Sequence, residues 1–291
     1  MALSIHTNYS SLITQTNLGK TNNALGTNQQ RLGTGFRINS AADDAAGLQI
    51  ATRLNAQSRG MDVAMRNTSD AVSLLQTAEG AFSEMTDIVQ RMKDLATQSS
   101  NGTNAQADRD ALQAEYDELG KELANIMTNT SYAGDALFGL DGTTGKFGAA
   151  VTFQIGATTA ETLELDASTQ SAALGTALDG LSSNYTTPGT AGTEIADAAG
   201  ANAMIDTINT ALDDIGAMRA AFGANINRLN HTANNLANMK DNTDMAKGRI
   251  MDADFAKESA NMSKNSMLMQ SGISMLKQAG QMPGMVMSLL G

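Results

Sequence analysis

The sequence predicts a mainly α protein: a rod of long helices, the two chain ends paired as a coiled coil, and a small insert containing a β-hairpin. Three observations predict it. Apolar residues step by three or four without a break over long stretches of both halves of the chain. A Leu-Gly pair recurs every seventh residue near the start, as Leu18-Gly19, Leu25-Gly26 and Leu32-Gly33. Only 4% of the residues are aromatic, none is Trp, and proline occurs only at Pro188 and Pro283. Few aromatics and prolines, with much Ala, Leu, Met, Asn and Gln, favour long helices packed side by side.

The first helix is read from residue 12 to 33. Leucine every seventh residue is a coiled-coil seam, and the adjacent glycines let another backbone approach closely. Each glycine costs about 1 kcal/mol of helix stability relative to Ala. Such a helix is expected to be disordered in the free monomer and to form when partners surround it. Gly33 and Gly35 suit its end. Ser40, Asp43 and Asp44 then read as the N-terminus of a second helix, with Ser40 as the cap. Met61, Met65, Thr68, Val72, Leu75, Ala78, Phe82, Met85, Val89, Met92 and Ala96 stripe that helix to residue 99, a length of roughly 85 Å.

Asn101-Gly102 ends it, and Thr103 with Gln106 has capping-box spacing. Leu112, Tyr116, Leu119, Leu123 and Ile126 stripe a third helix, expected to fold back antiparallel on the second. Val151, Phe153 and Ile155 alternate, 156–160 supply a turn, and Leu163 and Leu165 alternate again, which is a β-hairpin. Gly, Thr, Ser and Ala dominate 170–201 without clear period, predicting an exposed, partly irregular insert. Helical spacing returns from Ile205 to Met239. The tail repeats the logic of the head: Phe255, Ser259, Met262, Ser266, Met269, Ile273 and Leu276 step by four and three, while Met267, Leu268 and Met275 lie on other faces. Eight of the 18 methionines fall in 251–287, and flexible thioethers adapt to several partners. Pro283 and Gly284 are expected to interrupt this helix. The domains predicted are a terminal coiled coil of 1–40 with 250–291, a rod of 41–170 with 202–249, and a short surface-exposed insert of 171–201.

Composition narrows the function. The net charge is −11, and between residues 133 and 201 eight acidic residues face Lys146 alone. An acidic middle argues against nucleic-acid binding, which requires a basic face. No stretch approaches the roughly 20 apolar residues of a membrane span. The first nineteen residues lack Lys and Arg and any apolar run suited to a secretory signal, which alone points to the cytoplasm. No cysteine is present, so thiolate chemistry is excluded. His6 and His231 are far apart in polar sequence, and Asp252 with Asp254, or Asp43 with Asp44, lack the Gly and distal Glu of a calcium loop and read as caps. The expectation is no enzyme, no metal and no cofactor. Asn-x-Ser/Thr triplets such as those at Asn129 and Asn184 fall within chance for this composition.

RLGTGFRINSAADDAAGLQIATR, RNTSDAVSLLQTAEGA and DLATQSSNGT closely resemble the amino-terminal part of bacterial flagellin. RIMDADFAKESANMSKNSMLMQSG and the closing PGMVMSLL resemble its carboxyl end. The resemblance covers about 1–129 and 202–291 and leaves out the middle, where flagellins vary. It implies a structural subunit of the flagellar filament that polymerises with itself into a helical propeller for swimming or swarming. The terminal helices, with Leu18, Leu25, Leu32, Phe255, Met262, Met269, Ile273 and Leu276 as packing residues, would line the inner tube, and the variable insert would face outward. It further implies export, unfolded and without a cleaved signal, through the flagellar type III channel to the extracellular filament. An export chaperone on the C-terminal helix, the filament cap and hook-associated proteins are the other partners implied. The methionine-rich tail and short middle resemble the lateral, swarming-type flagellins, whereas Gly291 departs from the basic residue common at the end. Flagellins recognised by the vertebrate Toll-like receptor carry a patch whose equivalents here are Arg91, Leu95, Gln98 and Glu115, the first three spaced for one helix face. A hook-filament junction protein shares the terminal helices and is the alternative. A signalling coiled coil would need a membrane span or a symmetric hairpin without the β insert.

Overall fold

The computed structural model describes residues 8–187, 189 and 191–290, the side chains of 282–290 excepted. His6, Pro188 and Gly291 lie outside the described residues. The chain divides into two compact units, 1–58 with 241–291, and 59–240. The divisions fall inside two helices, later in the chain than the boundary expected near residue 40 and earlier than that near 250.

In the terminal unit, α1 (Tyr9–Thr34) pairs with α7 (Phe255–Leu290). The pairing is antiparallel: Asn8 Nδ2 donates to Ala279 O at 2.6 Å, Leu18 meets Gly272, and Arg31 Nη1 lies 3.1 Å from Glu258 Oε1. Asn8 caps α1 by accepting from Ser11 N at 3.1 Å. Gly35, at φ 76°, closes it with an N–H to Arg31 O, a conformation that glycine adopts without strain. The cap of α2 (Ala45–Ser99) differs from expectation. Asp44 Oδ1 accepts Gly47 N at 2.8 Å, whereas Ser40 is tied to Asp43 in the preceding turn. The two junctions of this unit meet: Arg37 N donates to Met251 O at 2.6 Å and Ala253 N to Gly35 O at 2.9 Å. Asp254 starts α7 by accepting from the amides of Ala256 and Lys257. The helix runs on through Pro283 to Leu290. A proline removes one amide hydrogen bond but leaves the flanking bonds able to carry the helix onward.

In the other unit the long helices run against each other as predicted. Arg91 meets Glu115, and Arg109 donates to Ser99 O, so α3 (Gln106–Asn129) is antiparallel to α2. Glu79 with Arg219 and Asp62 with Lys240 place α6 (Ala198–Met251) antiparallel to α2. α3 begins at Gln106, with Asp108 Oδ2 accepting Ala105 N, so Thr103 stays in the loop. A two-residue pair, β1 (Ser131–Tyr132) with β2 (Asp135–Ala136), follows. The predicted hairpin is β3 (Val151–Gln154) against β4 (Thr162–Leu165), with Val151 opposite Leu165 and Phe153 opposite Leu163. Phe82, Phe138, Phe147 and Phe222 form a closed ring of tilted neighbours 4.7–5.6 Å apart at the heart of the core.

The segment 171–201 departs from the expected exposed insert. It holds most of α4 (Ser168–Asp179) and α5 (Ser183–Thr186), and Leu174, Leu178, Leu181, Tyr185 and Ile195 are fully buried in the same core. Small residues permit this closeness: Gly142, at φ 67°, lies so near Ser171 O that any side chain there would collide. Tyr116 and Tyr185 send their hydroxyls to Leu181 O and Leu140 O, and burial pushes both phenols well above their ordinary range.

Candidate assembly surfaces

The first candidate surface is the α1–α7 pair. On α1 the shielded positions include Ser11, Thr14, Leu18, Thr21, Leu25, Asn28 and Leu32, spaced three and four, with Arg31 beside the last of them. On α7 they include Glu258, Met262, Asn265, Met269, Gly272, Leu276 and Ala279. Leu18, Leu25, Leu32, Met262, Met269 and Leu276 therefore lie among the shielded positions of the pair. Ile273 does not: it is 44% exposed, and the seam passes through Gly272, one residue earlier. A β-carbon at Gly272 would stand 3.1 Å from Leu18 Cγ, so glycine makes the hollow that seats the leucine. Phe255 is 56% exposed, with its ring edge over Gly35. The alternation of three and four that suggested both residues is satisfied by two adjacent phases, and only the packed pair selects one.

Half of each layer in this seam is polar or very small, so two helices alone cover little apolar surface. Tyr9, Leu12 and Ile13 on α1, and Met267, Leu268 and Met275 on α7, remain exposed. Contiguous apolar exposure of this kind marks an association surface. Asn28, Arg31 and Glu258 are site residues that apolar spacing alone does not mark, although Asn28 and Glu258 keep the heptad phase of the seam.

The second candidate surface lies on α2 and α3. Arg91 Nε and Nη2 both donate to Glu115 Oε1, at 2.9 and 2.6 Å, and both side chains are about half exposed. Gln98 is exposed, and its carbonyl accepts from Asn104 Nδ2. Leu95 is 1% exposed and belongs to the core with Met92 and Tyr116. Spacing put Arg91, Leu95 and Gln98 on one face, but that face borders the core, and the middle residue turns inward.

A polar clasp beside α3 holds the segment before α6. Gln113 Nε2 donates to Asp117 Oδ1 and Glu194 Oε2, Gln113 Oε1 accepts Ile195 N, and Ser183 donates to Glu194 from both N and Oγ. Burial raises the Glu194 pKa, but these hydrogen bonds outweigh it and leave the carboxyl below its ordinary value. At the terminal junction, Asp43 accepts from Ser40 N, Asn39 N and Ser40 Oγ, which hold its pKa down as well. Among the described residues no three His, Asp or Glu side chains gather as metal ligands, and no helix is long and apolar enough to cross a membrane.

The comparisons with known proteins agree with this architecture. The bacterial flagellin N-terminal helical region matches residues 5–144 and the bacterial flagellin C-terminal helical region matches 205–290. Flagellin A of Vibrio anguillarum is 35% identical over 384 aligned positions covering all of both chains, and polar flagellin C of Vibrio parahaemolyticus is 35% identical over 390. Both alignments exceed the 291 residues of this chain, so these relatives carry stretches that it lacks. A solved structure described as a flagellar hook-associated protein from Vibrio parahaemolyticus shares the fold, with TM-score 0.54 at 15% identity over 72% of this chain and 100% of that one. Matched in both of its helical ends and aligned with these relatives along its whole length, the chain belongs to the bacterial flagellins.

Proposed function

We propose that this flagellin polymerises by burying the α1–α7 pair among the same helices of neighbouring subunits. As a flagellin it is a structural subunit of the flagellar filament, outside the cell. The observation that carries the proposal is the row of exposed apolar side chains on both terminal helices of the isolated chain, Leu12, Ile13, Met267, Leu268 and Met275 among them. Surface of that kind is stable in water only when covered. Before assembly an export chaperone covers the C-terminal helix, and the chain leaves the cell unfolded through the type III channel without a cleaved signal. The absence of disulfides suits that passage. Subunits then add beneath the filament cap, on a base of hook-associated proteins. The short middle and methionine-rich tail support a lateral, swarming-type filament; deletion of the gene would then abolish spreading on agar while leaving swimming in liquid intact.

Purified monomer added to filament seeds tests the main proposal. Light scattering and microscopy should show growth from the full chain and none from a chain lacking 251–291. A full chain that stays monomeric on every seed, with both ends resistant to protease, would overturn it.

Arg91, Gln98 and Glu115 also form the surface offered to a vertebrate Toll-like receptor. Glu115→Lys, which removes the Arg91 pair without touching the core, should lower receptor signalling at least tenfold with an unchanged melting temperature. Undiminished signalling would exclude the patch.

A further inference from the structure

Leu18, Leu25 and Leu32 on α1 and Met262, Met269 and Leu276 on α7 each repeat every seven residues. A repeated seam is ambiguous, because sliding one helix by seven residues returns leucines and methionines of the same phase to the seam, and thioethers adapt to the altered fit. The hollow at Gly272 that receives Leu18 would receive Leu25 equally. The apolar layers therefore do not select the register.

The hydrogen bonds between the two junctions hold the pair at its base, and one layer of the seam adds an ion pair. Asn28 and Glu258 are each 7% exposed, and Arg31 Nη1 donates to Glu258 Oε1 at 3.1 Å. Asn28 Nδ2, Arg31 Nε and Glu258 Oε2 are sealed from solvent without a hydrogen-bond partner, so this layer is strained even when correctly matched. One heptad to either side of Arg31, α1 and its junction offer Ala24 and Ile38. A slide would put Glu258 beside one of these, a buried carboxylate without its cation, which is far more costly than the matched pair. We infer that Asn28, Arg31 and Glu258 are positioning residues that, with the junction hydrogen bonds, set the register of the terminal helix pair. The register matters to assembly, because a slide of seven residues carries Met267, Leu268 and Met275 about 10 Å along α1 and away from their place in the intersubunit surface. The inference rests on the polymerisation proposed above.

The chain has no cysteine, so paired cysteines report register directly. Leu18→Cys with Gly272→Cys marks the observed register, and Leu25→Cys with Gly272→Cys marks the slide. Each pair is built into the full chain, grown on filament seeds and oxidised with copper phenanthroline, and the intrachain bridge is read by gel mobility. In the otherwise unaltered chain the first pair bridges and the second does not. Adding Asn28→Leu, Arg31→Leu and Glu258→Leu, which keeps helix pairing favourable, should raise bridging of the second pair at least tenfold; Asn28→Leu alone should give a smaller rise. Arg31→Glu alone should also raise it, and adding Glu258→Arg should return the original pattern, a rescue that bulk packing does not produce. The inference is overturned if the first pair remains the sole bridge in the triple variant, or if the charge swap restores nothing. If the triple variant does not join seeds, Asn28→Leu decides, an unchanged pattern being fatal. Failure of the first pair to bridge in filaments of the otherwise unaltered chain would instead count against the proposed burial of the helix pair.

Discussion

Leu95 separates what spacing predicts from what packing decides. Arg91, Leu95 and Gln98 share a helix face, but exposure changes sharply across it, and Leu95 sits at 1%. Leu95→Asp would bury a carboxylate without a partner, so it should lower stability by about 3 kcal/mol or more. A urea melt should register that loss before any receptor assay is interpretable. Glu115→Ala, by contrast, removes an exposed ion pair and should cost less than about 1 kcal/mol. Within the aromatic ring, Phe82→Ala should cost about 3–5 kcal/mol, because the two neighbouring rings of Phe138 and Phe222 lose a partner that the rigid helices cannot replace. Glu194 gives a pH signature. Its folded pKa is depressed below 4.5, so its contribution is complete above that value and is lost as pH falls through the depressed one. The protection factor of the Ile195 amide, which donates to Gln113 within the clasp, should fall below about pH 4.5 before those of the core amides of α2. Simultaneous exchange would show that the clasp does not open separately.

The long helices were legible because three-and-four spacing over dozens of residues has no other regular solution. α2 was expected from Asp43 to Ser99 and runs Ala45–Ser99; the hairpin of β3 and β4 was equally plain, from a change of period at Val151. α4 was not legible. STQSAALGTALD has only two leucines in twelve residues, and its burial depends on Gly142 and Gly175 allowing two backbones to touch, which periodicity does not record. Leu178→Ala should therefore destabilise the 59–240 unit by about 2–5 kcal/mol, as for any closed core site. A melt unaffected by this change, or by removal of 171–201, would mean that the segment is dispensable after all. In the seam of α1 and α7, Leu18, Leu25 and Leu32 stand out by a strict repeat, whereas periodicity alone does not separate Gly272 from Ile273; the leucine that fills the space above Gly272 does.

The two units differ in how they are held. The 59–240 unit has a continuous core from Ala71 to Leu229 that includes four phenylalanines and two buried tyrosines, while the terminal unit has a polar-spaced seam and many uncovered apolar groups. Limited proteolysis of the monomer should remove the terminal segments first and leave a resistant fragment close to 59–240, and assembly on seeds should protect both ends. Equal resistance of the two units in the monomer would contradict the weak seam.

The sequence by itself determined the helical class, the pairing of its two ends, the hairpin and the family, because each is written in local periodicity or in contiguous motif. Only the tertiary structure decided that Leu95 is core, that the middle segment supplies core residues, and that Asn28, Arg31 and Glu258 share one buried layer. Those facts depend on which distant residues meet, and distance along a chain does not encode distance in space.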